Sequence, residues 1–343
     1  MTFEDIMAEI KGNLTGNAKQ DVTYLMEVNK KYMNHEFASQ IASECGKLIL
    51  EIVPDKLKGR ALEMLKEENL GVLNAIKEAE ANLDNGKLSV ALDVLTAMIA
   101  KVEDVDLYKP NDLYEYRNFT TAFEEISYRF LYKSKKEVRD APEPFASLYY
   151  LYGNILVELR RYKEAQEAFE KALYWNPTNC DIAFEYAETF KIQKKLEDFI
   201  VITRHIFKSA YTPSHVAHAY RNFGFYFIEK KLWQEAIGCL KLSMEFEREN
   251  KEAQAELDYI ESKTGKEIEE PSLEKLKFYA NKYDFPTWAS NDLISLAVGS
   301  GKQALKDKEY RAARYFLEIA HGLLPNSDIK ELLAKIPEEV EFK

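Results

Sequence analysis

The sequence predicts an all-α protein assembled from consecutive antiparallel helix pairs, and three observations carry that expectation. Apolar residues recur at steps of three and four along the chain, and no run alternates with period two as a half-buried strand would. The stretch 146–179 divides into two helices of similar length about a turn at Arg160–Arg161. Tyr149, Tyr152, Gly153 and Leu156 form one apolar face there, and Ala165, Phe169 and Ala172 form the facing one. Small residues, Gly153 and Ala165, stand where those helices must approach closely; Phe169 fills the space beside them, and Pro177 ends the second helix. With 343 residues, 46% hydrophobic and 31% charged, the chain can bury a large core and is not disordered.

Taken in order, residues 1–70 read as three or four short amphipathic helices. Thr2 caps the first, with Glu4 and Asp5 in the turn where the helix dipole favours anions. A second runs from about Asn17 to Met33. A third sets Phe37, Ile41, Cys45, Leu48 and Ile52 on one stripe before Pro54. This segment is expected to cap the open end of the array that follows. Residues 72–105 form a pair that turns at Gly86-Lys87-Leu88, with Ala91, Leu95 and Met98 on the second helix. After Lys109-Pro110-Asn111-Asp112, where Asp112 and Glu115 stand in capping-box spacing, the run Leu113, Tyr116, Phe119, Phe123, Ile126 and Phe130 has no interrupting Gly or Pro. It predicts one long inserted helix over 113–140, or a degenerate helix pair with no visible turn. Ala141-Pro142-Glu143-Pro144 ends it.

The unit 146–179 resembles a tetratricopeptide repeat, a helix–turn–helix of about 34 residues. The resemblance extends to 180–216, to 217–250 (Gly224, Ala236, Leu240, Ser243) and to 294–327 (Gly301, Ala304, Ala313, Leu317, Pro325), with 72–105 a weaker unit. Residues 251–290 read as a divergent, stretched unit, and a short helix over 328–335 closes the array. The resemblance implies a right-handed α-solenoid over 72–335, with Gly153, Ala165, Phe169, Gly224, Ala236, Gly301 and Ala313 as its structural signature. It also implies a non-enzymatic scaffold that binds proteins or peptides.

Several function classes are excluded or disfavoured by the residues themselves. Net charge is −11 and the acidic excess is shared by both halves, which argues against a nucleic-acid footprint. Three cysteines, Cys45, Cys180 and Cys239, lie far apart without metal-ligand spacing, as in a reducing cytoplasm. No signal segment opens the chain and no apolar run is long enough to span a membrane, so a cytoplasmic protein is expected. Val298-Gly299-Ser300-Gly301-Lys302 lacks the first Gly and the closing Ser or Thr of a phosphate loop. His215 and His218 have no third ligand nearby; no metal, cofactor or catalytic residue is expected.

The concave surface remains. By the resemblance, the first helix of each unit lines it with Ser147, Tyr150, Asn154, Val157 and Glu158, then Asp181, Phe184, Glu188, Lys191 and Ile192, then His218, Arg221, Phe225, Ile228 and Glu229. Tyr150, Asn154, Phe184, Glu188, Arg221 and Phe225 are the expected peptide-binding set: aromatic anchors, an amide for a ligand backbone, and Arg221 for an acidic ligand side chain. The co-chaperone version of this fold clamps a C-terminal carboxylate. Here Tyr150, Glu185, His218 and Asn222 replace most of its basic and amide residues, so that use is ruled out. Two rival expectations are a groove filled by residues 1–70 or by a second copy of the chain, and a bacterial peptide-sensing regulator of the tetratricopeptide type. The regulator requires a basic helix-turn-helix at the front, and residues 1–70 show none.

Overall fold

The computed structural model describes residues 2–32, 35, 37–53, 71–105, 113–141, 143–265 and 269–337. The chain opens with α1 (Phe3–Gly12), α2 (Ala18–Lys31) and α3 (Ala38–Ile52). The Thr2 hydroxyl accepts the Asp5 N–H while the Asp5 carboxylate accepts the Thr2 N–H, a complete capping box. Buried Asp21 accepts the N–H groups of Thr15 (2.7 Å) and Gly16 (2.8 Å) and so fixes the α1–α2 loop. Ile6, Ile10, Leu25, Ile41, Cys45 and Ile49 form an apolar cluster made of this segment alone. The fourth helix that the sequence permits in 54–70 lies outside the described residues, as does the loop 109–112.

Helices α4 (Val72–Asp84) and α5 (Leu88–Val105) form the first pair. Residues 113–140 then correct the expectation of one long helix. They fold as β1 (Tyr114–Arg117), α6 (Ala122–Tyr132) and β2 (Glu137–Asp140), with β1 and β2 paired in parallel and Tyr114 opposite Glu137. Thr121 and Glu124 form a capping box that starts α6, and Lys133 at φ 47° ends it. The helical spacing of Phe123, Ile126 and Phe130 is real, but Tyr116 belongs to a strand. Glu115 is no helix cap either: it is buried in β1 and accepts the Tyr128 hydroxyl at 2.8 Å.

The paired helices that follow are α7 (Phe145–Glu158) with α8 (Tyr162–Trp175), α9 (Cys180–Ile192) with α10 (Leu196–Ser209), and α11 (Pro213–Glu229) with α12 (Trp233–Phe246). Helices α13 (Lys251–Thr264) and α14 (Leu273–Tyr283) make the divergent unit, and α15 (Asn291–Lys306) and α16 (Tyr310–Leu323) the last pair, before α17 (Ser327–Leu333). The array is thus an all-α solenoid of adjacent pairs, with two short strands in its insert.

A shared local geometry sets the pairs. The five turns inside α4–α5, α7–α8, α9–α10, α11–α12 and α15–α16 each place one residue in the left-handed region: Gly86, Arg160, Lys194, Lys231 and Lys308. The next N–H returns to the carbonyl five residues back, as Arg161 does to Leu156 (2.8 Å), Lys195 to Phe190 (2.9 Å), Leu232 to Phe227 (2.9 Å) and Glu309 to Ala304 (2.8 Å). Across the pairs, a Cβ added at Gly153 would lie 2.6 Å from Phe169, one at Gly224 2.7 Å from Leu240, and one at Gly301 2.6 Å from Leu317. Ala165, Ala236 and Ala313 are fully buried on the second helices of the same pairs.

The insert ties distant parts together. The Glu124 carboxylate accepts the Thr120 N–H (2.7 Å) and the side-chain amides of Asn176 (2.8 Å) and Asn179 (3.0 Å) in the α8–α9 loop. Phe123, fully buried, packs on Tyr211 and Phe316 with ring centroids 5.2 and 6.3 Å away, in one cluster with Leu293 and Ala320 of the last pair. No helix among the described residues is long and apolar enough to cross a membrane.

Candidate peptide-binding groove

The expected groove residues lie on α7, α9 and α11, and side chains of α13 reach Arg221 and Gly224 of α11. On α7, Tyr150 packs near Phe169 (centroids 6.1 Å apart) and bonds to the Asn154 side chain one turn on. Burial pushes the Tyr150 hydroxyl pKa up, the Asn154 bond opposes this, and the charges of Glu185 and Asp181 on α9 add to it. Asn154 Oδ1 is buried and has no hydrogen-bond partner.

On α9, Asp181, Phe184, Glu188 and Lys191 share a face by their spacing. Phe184 is not an open anchor: it is 6% exposed, and its ring stacks on His218 of α11 at 3.8 Å with planes 10° apart. His218 suits that role because burial, helped by Arg221 and Lys191, lowers its pKa to about 4 and keeps the ring neutral. Burial also opposes charge on His215. The Asp181 carboxylate, with Oδ1 3.5 Å from Nε2, and Cys180 together outweigh that burial and raise the pKa to about 10. The two histidines therefore serve as packing and ion-pair groups.

Arg221 is likewise committed internally. Its Nη1 lies 2.8 Å from Glu247 Oε2 and its Nε 3.1 Å from Glu252 Oε2, with only 13% of the side chain exposed. The expected pairing with an acidic ligand is replaced by these two carboxylates, and Glu188 pairs with Lys191 at 3.0 Å. The Lys191 ammonium also sits 4.7 Å above the Phe225 ring, whose edge meets Phe199. Beside Gly224, whose missing Cβ leaves the room, lies Glu256. Its Oε2 is buried without a partner. Burial raises its pKa to about 7 against the pull of Lys191 and Arg221, with Glu252 adding to the rise.

Sequence reasoning missed Glu247, Glu252 and Glu256. Glu252 stands at the same place in the unit starting at Lys251 as Asp181 does after Cys180, a register that was available in the sequence. This strip of side chains is therefore acidic, laced with internal ion pairs, and three of its buried side-chain atoms, Asn154 Oδ1, His215 Nδ1 and Glu256 Oε2, have no hydrogen-bond partner.

The recurrent turn, the small residue opposite a large one, and the 146–179 span together meet a known unit: those residues match the family model of the tetratricopeptide repeat. The chain carries a tetratricopeptide repeat. The chain also resembles several solved structures. One comes from a functional characterisation of Pseudomonas aeruginosa pilF (14% identity, 78% of this chain and 99% of that one covered, TM-score 0.40). Another is a tetratricopeptide repeat protein from Parabacteroides merdae (14%, 92% and 99%, TM-score 0.39). A third is YrrB, described as a tetratricopeptide protein with an unusual peptide-binding site (13%, 73% and 95%, TM-score 0.35). Values this low fix no residue-to-residue correspondence. A search of curated protein sequences returns no match. The tetratricopeptide fold is that of a protein-interaction scaffold.

Proposed function

We propose that the strip formed by α7, α9, α11 and α13 binds an extended segment of a partner protein, and that the chain acts as a non-enzymatic scaffold through it. The observation that carries this reading is the set of partly exposed aromatic and polar side chains, Tyr150, Asn154, Glu188 and Phe225, on successive first helices, with Asn154 Oδ1 left without a hydrogen-bond partner. Buried polar atoms in folded proteins are almost always paired. An extended peptide supplies backbone N–H donors whatever its side chains, and Tyr150 and Phe225 supply partly exposed aromatic surface between the polar groups. Among the described residues, the apolar cluster of α1–α3 contains no strip residue.

The test is selection of a random dodecapeptide library on the full chain, followed by titration of the recovered peptides against wild type, Phe225→Ala and Asn154→Leu. Loss of the Phe225 ring is expected to weaken binding roughly thirtyfold, about 2 kcal/mol, at a temperature where melting curves show the variant folded. Peptides that bind both variants as tightly as wild type would refute the groove.

A further inference from the structure

The facing ends of α4 and α5, with α7 and α9, border an open hollow of about 200 Å³ at one end of the strip. That is below the volume of ordinary small-molecule sites, roughly 300 Å³ and upward, and suits a single side chain. Its walls include Leu83, Leu88 and Leu151, and its polar groups are Asn154, Glu158 and Glu185. We propose that this hollow receives one lysine or arginine side chain of the peptide bound along the strip. The inference rests on the groove reading above and adds the chemistry of one ligand position.

The charges select the occupant. Asp181, Glu185 and Glu188 follow one another along a face of α9; Asp181 is paired with His215 and Glu188 with Lys191. Among the described residues no cation pairs with Glu185, the middle one, nor with Glu158 across the hollow. Glu185 accordingly shows the mark of an uncompensated carboxylate, a pKa raised by burial and by its neighbours Glu188 and Asp181. The third polar residue is Asn154, whose Oδ1 is buried and unpartnered. The two carboxylates that line the hollow are thus acceptors without a cation. Lysine and arginine heads are donors only, whereas hydroxyl and amide side chains would bring acceptors of their own. The same residues carry long aliphatic stems that cover apolar surface while the head stays with polar groups, which matches the leucine walls. An acidic side chain would meet two unpaired carboxylates.

The experiment extends the peptide selection. Recovered dodecapeptides that Phe225→Ala weakens are measured by fluorescence polarisation against wild type, Glu185→Gln and Glu158→Gln, with melting curves to show that both variants fold. These peptides are expected to share one lysine or arginine at a constant distance from their aromatic-binding residue. Glu185→Gln should weaken them roughly tenfold. Replacing that basic residue by norleucine should weaken wild type by a similar factor and change the affinity for Glu185→Gln little. Peptides sensitive to Phe225→Ala but lacking a fixed basic residue, or equally tight on Glu185→Gln, would overturn the basic pocket and leave the groove standing. Peptides insensitive to Phe225→Ala would overturn both.

Discussion

Two glycines on α15 are expected to respond to the same substitution with opposite sign. Gly299 is exposed, and a Cβ there would meet nothing within 4 Å; a Cβ at Gly301 would lie 2.6 Å from Leu317 Cγ and 2.8 Å from Cδ2. Replacing either by alanine removes the backbone-entropy cost of glycine in a helix, a gain of about 0.8–1 kcal/mol. At Gly299 nothing opposes that gain. At Gly301 the new carbon falls roughly 1 Å inside ordinary contact with a fully buried leucine. Either Leu317 leaves its rotamer or α15 and α16 separate, and overpacking of this kind costs about 1–3 kcal/mol. Gly299→Ala should therefore stabilise by nearly 1 kcal/mol, and Gly301→Ala should destabilise by up to about 2 kcal/mol. Urea unfolding followed by circular dichroism at 222 nm reads the difference. Shortening Leu317 to valine beside Gly301→Ala should recover part of the loss. Equal stabilisation by both alanines would refute the close crossing and the helix register derived from it.

Arg221→Met should cost about 2 kcal/mol, because Glu247 and Glu252 lose a charged partner that is itself largely buried; the exposure of Glu252 keeps the figure from being larger. Arg221→Lys should not restore it, since the two carboxylates use separate nitrogens of the guanidinium; unfolding midpoints like wild type would contradict this. Glu256 carries a pH prediction. Its folded pKa of about 7 stands above the ordinary value of 4.5, so the native state holds a proton that the unfolded chain releases. Stability from this group is full below about 4.5 and is lost as pH rises through 7. Melting temperatures of Glu256→Gln should thus gain on wild type between pH 5 and 8, and parallel pH profiles would count against the burial of this carboxylate.

The helix pairs were legible in the sequence because each is a local event. A small residue, a large residue and a turn within 34 residues specify the crossing, and the same pattern places Tyr150, Phe184 and Arg221 on first helices. What those side chains touch was not legible. Arg221 finds Glu247 after α12, and Phe184 finds His218 on the next first helix, so both are consumed by neighbours that only the stacking brings near. The insert was misread for a different reason. Strands of four residues are too short to establish a period, and their parallel pairing joins segments separated by a helix. Thr121 and Glu124, three apart and flanking Phe123, did mark the true start of α6.

The packing of Phe123 changes what kind of mechanical object this array is. In a plain stack each unit touches only its neighbours, so strength is a running sum and the ends peel away one unit at a time. Here a residue ahead of the second pair lies against Phe316 in the last one, and Glu124 holds the same helix to the loop between α8 and α9. The chain is closed like a clasp rather than left as an open spring. The terminal pair cannot detach without opening the contact that holds the insert. Unfolding from the insert to α16 should then be one concerted event. Folding must wait for a loop of nearly two hundred residues to close, and the entropy of that closure slows it.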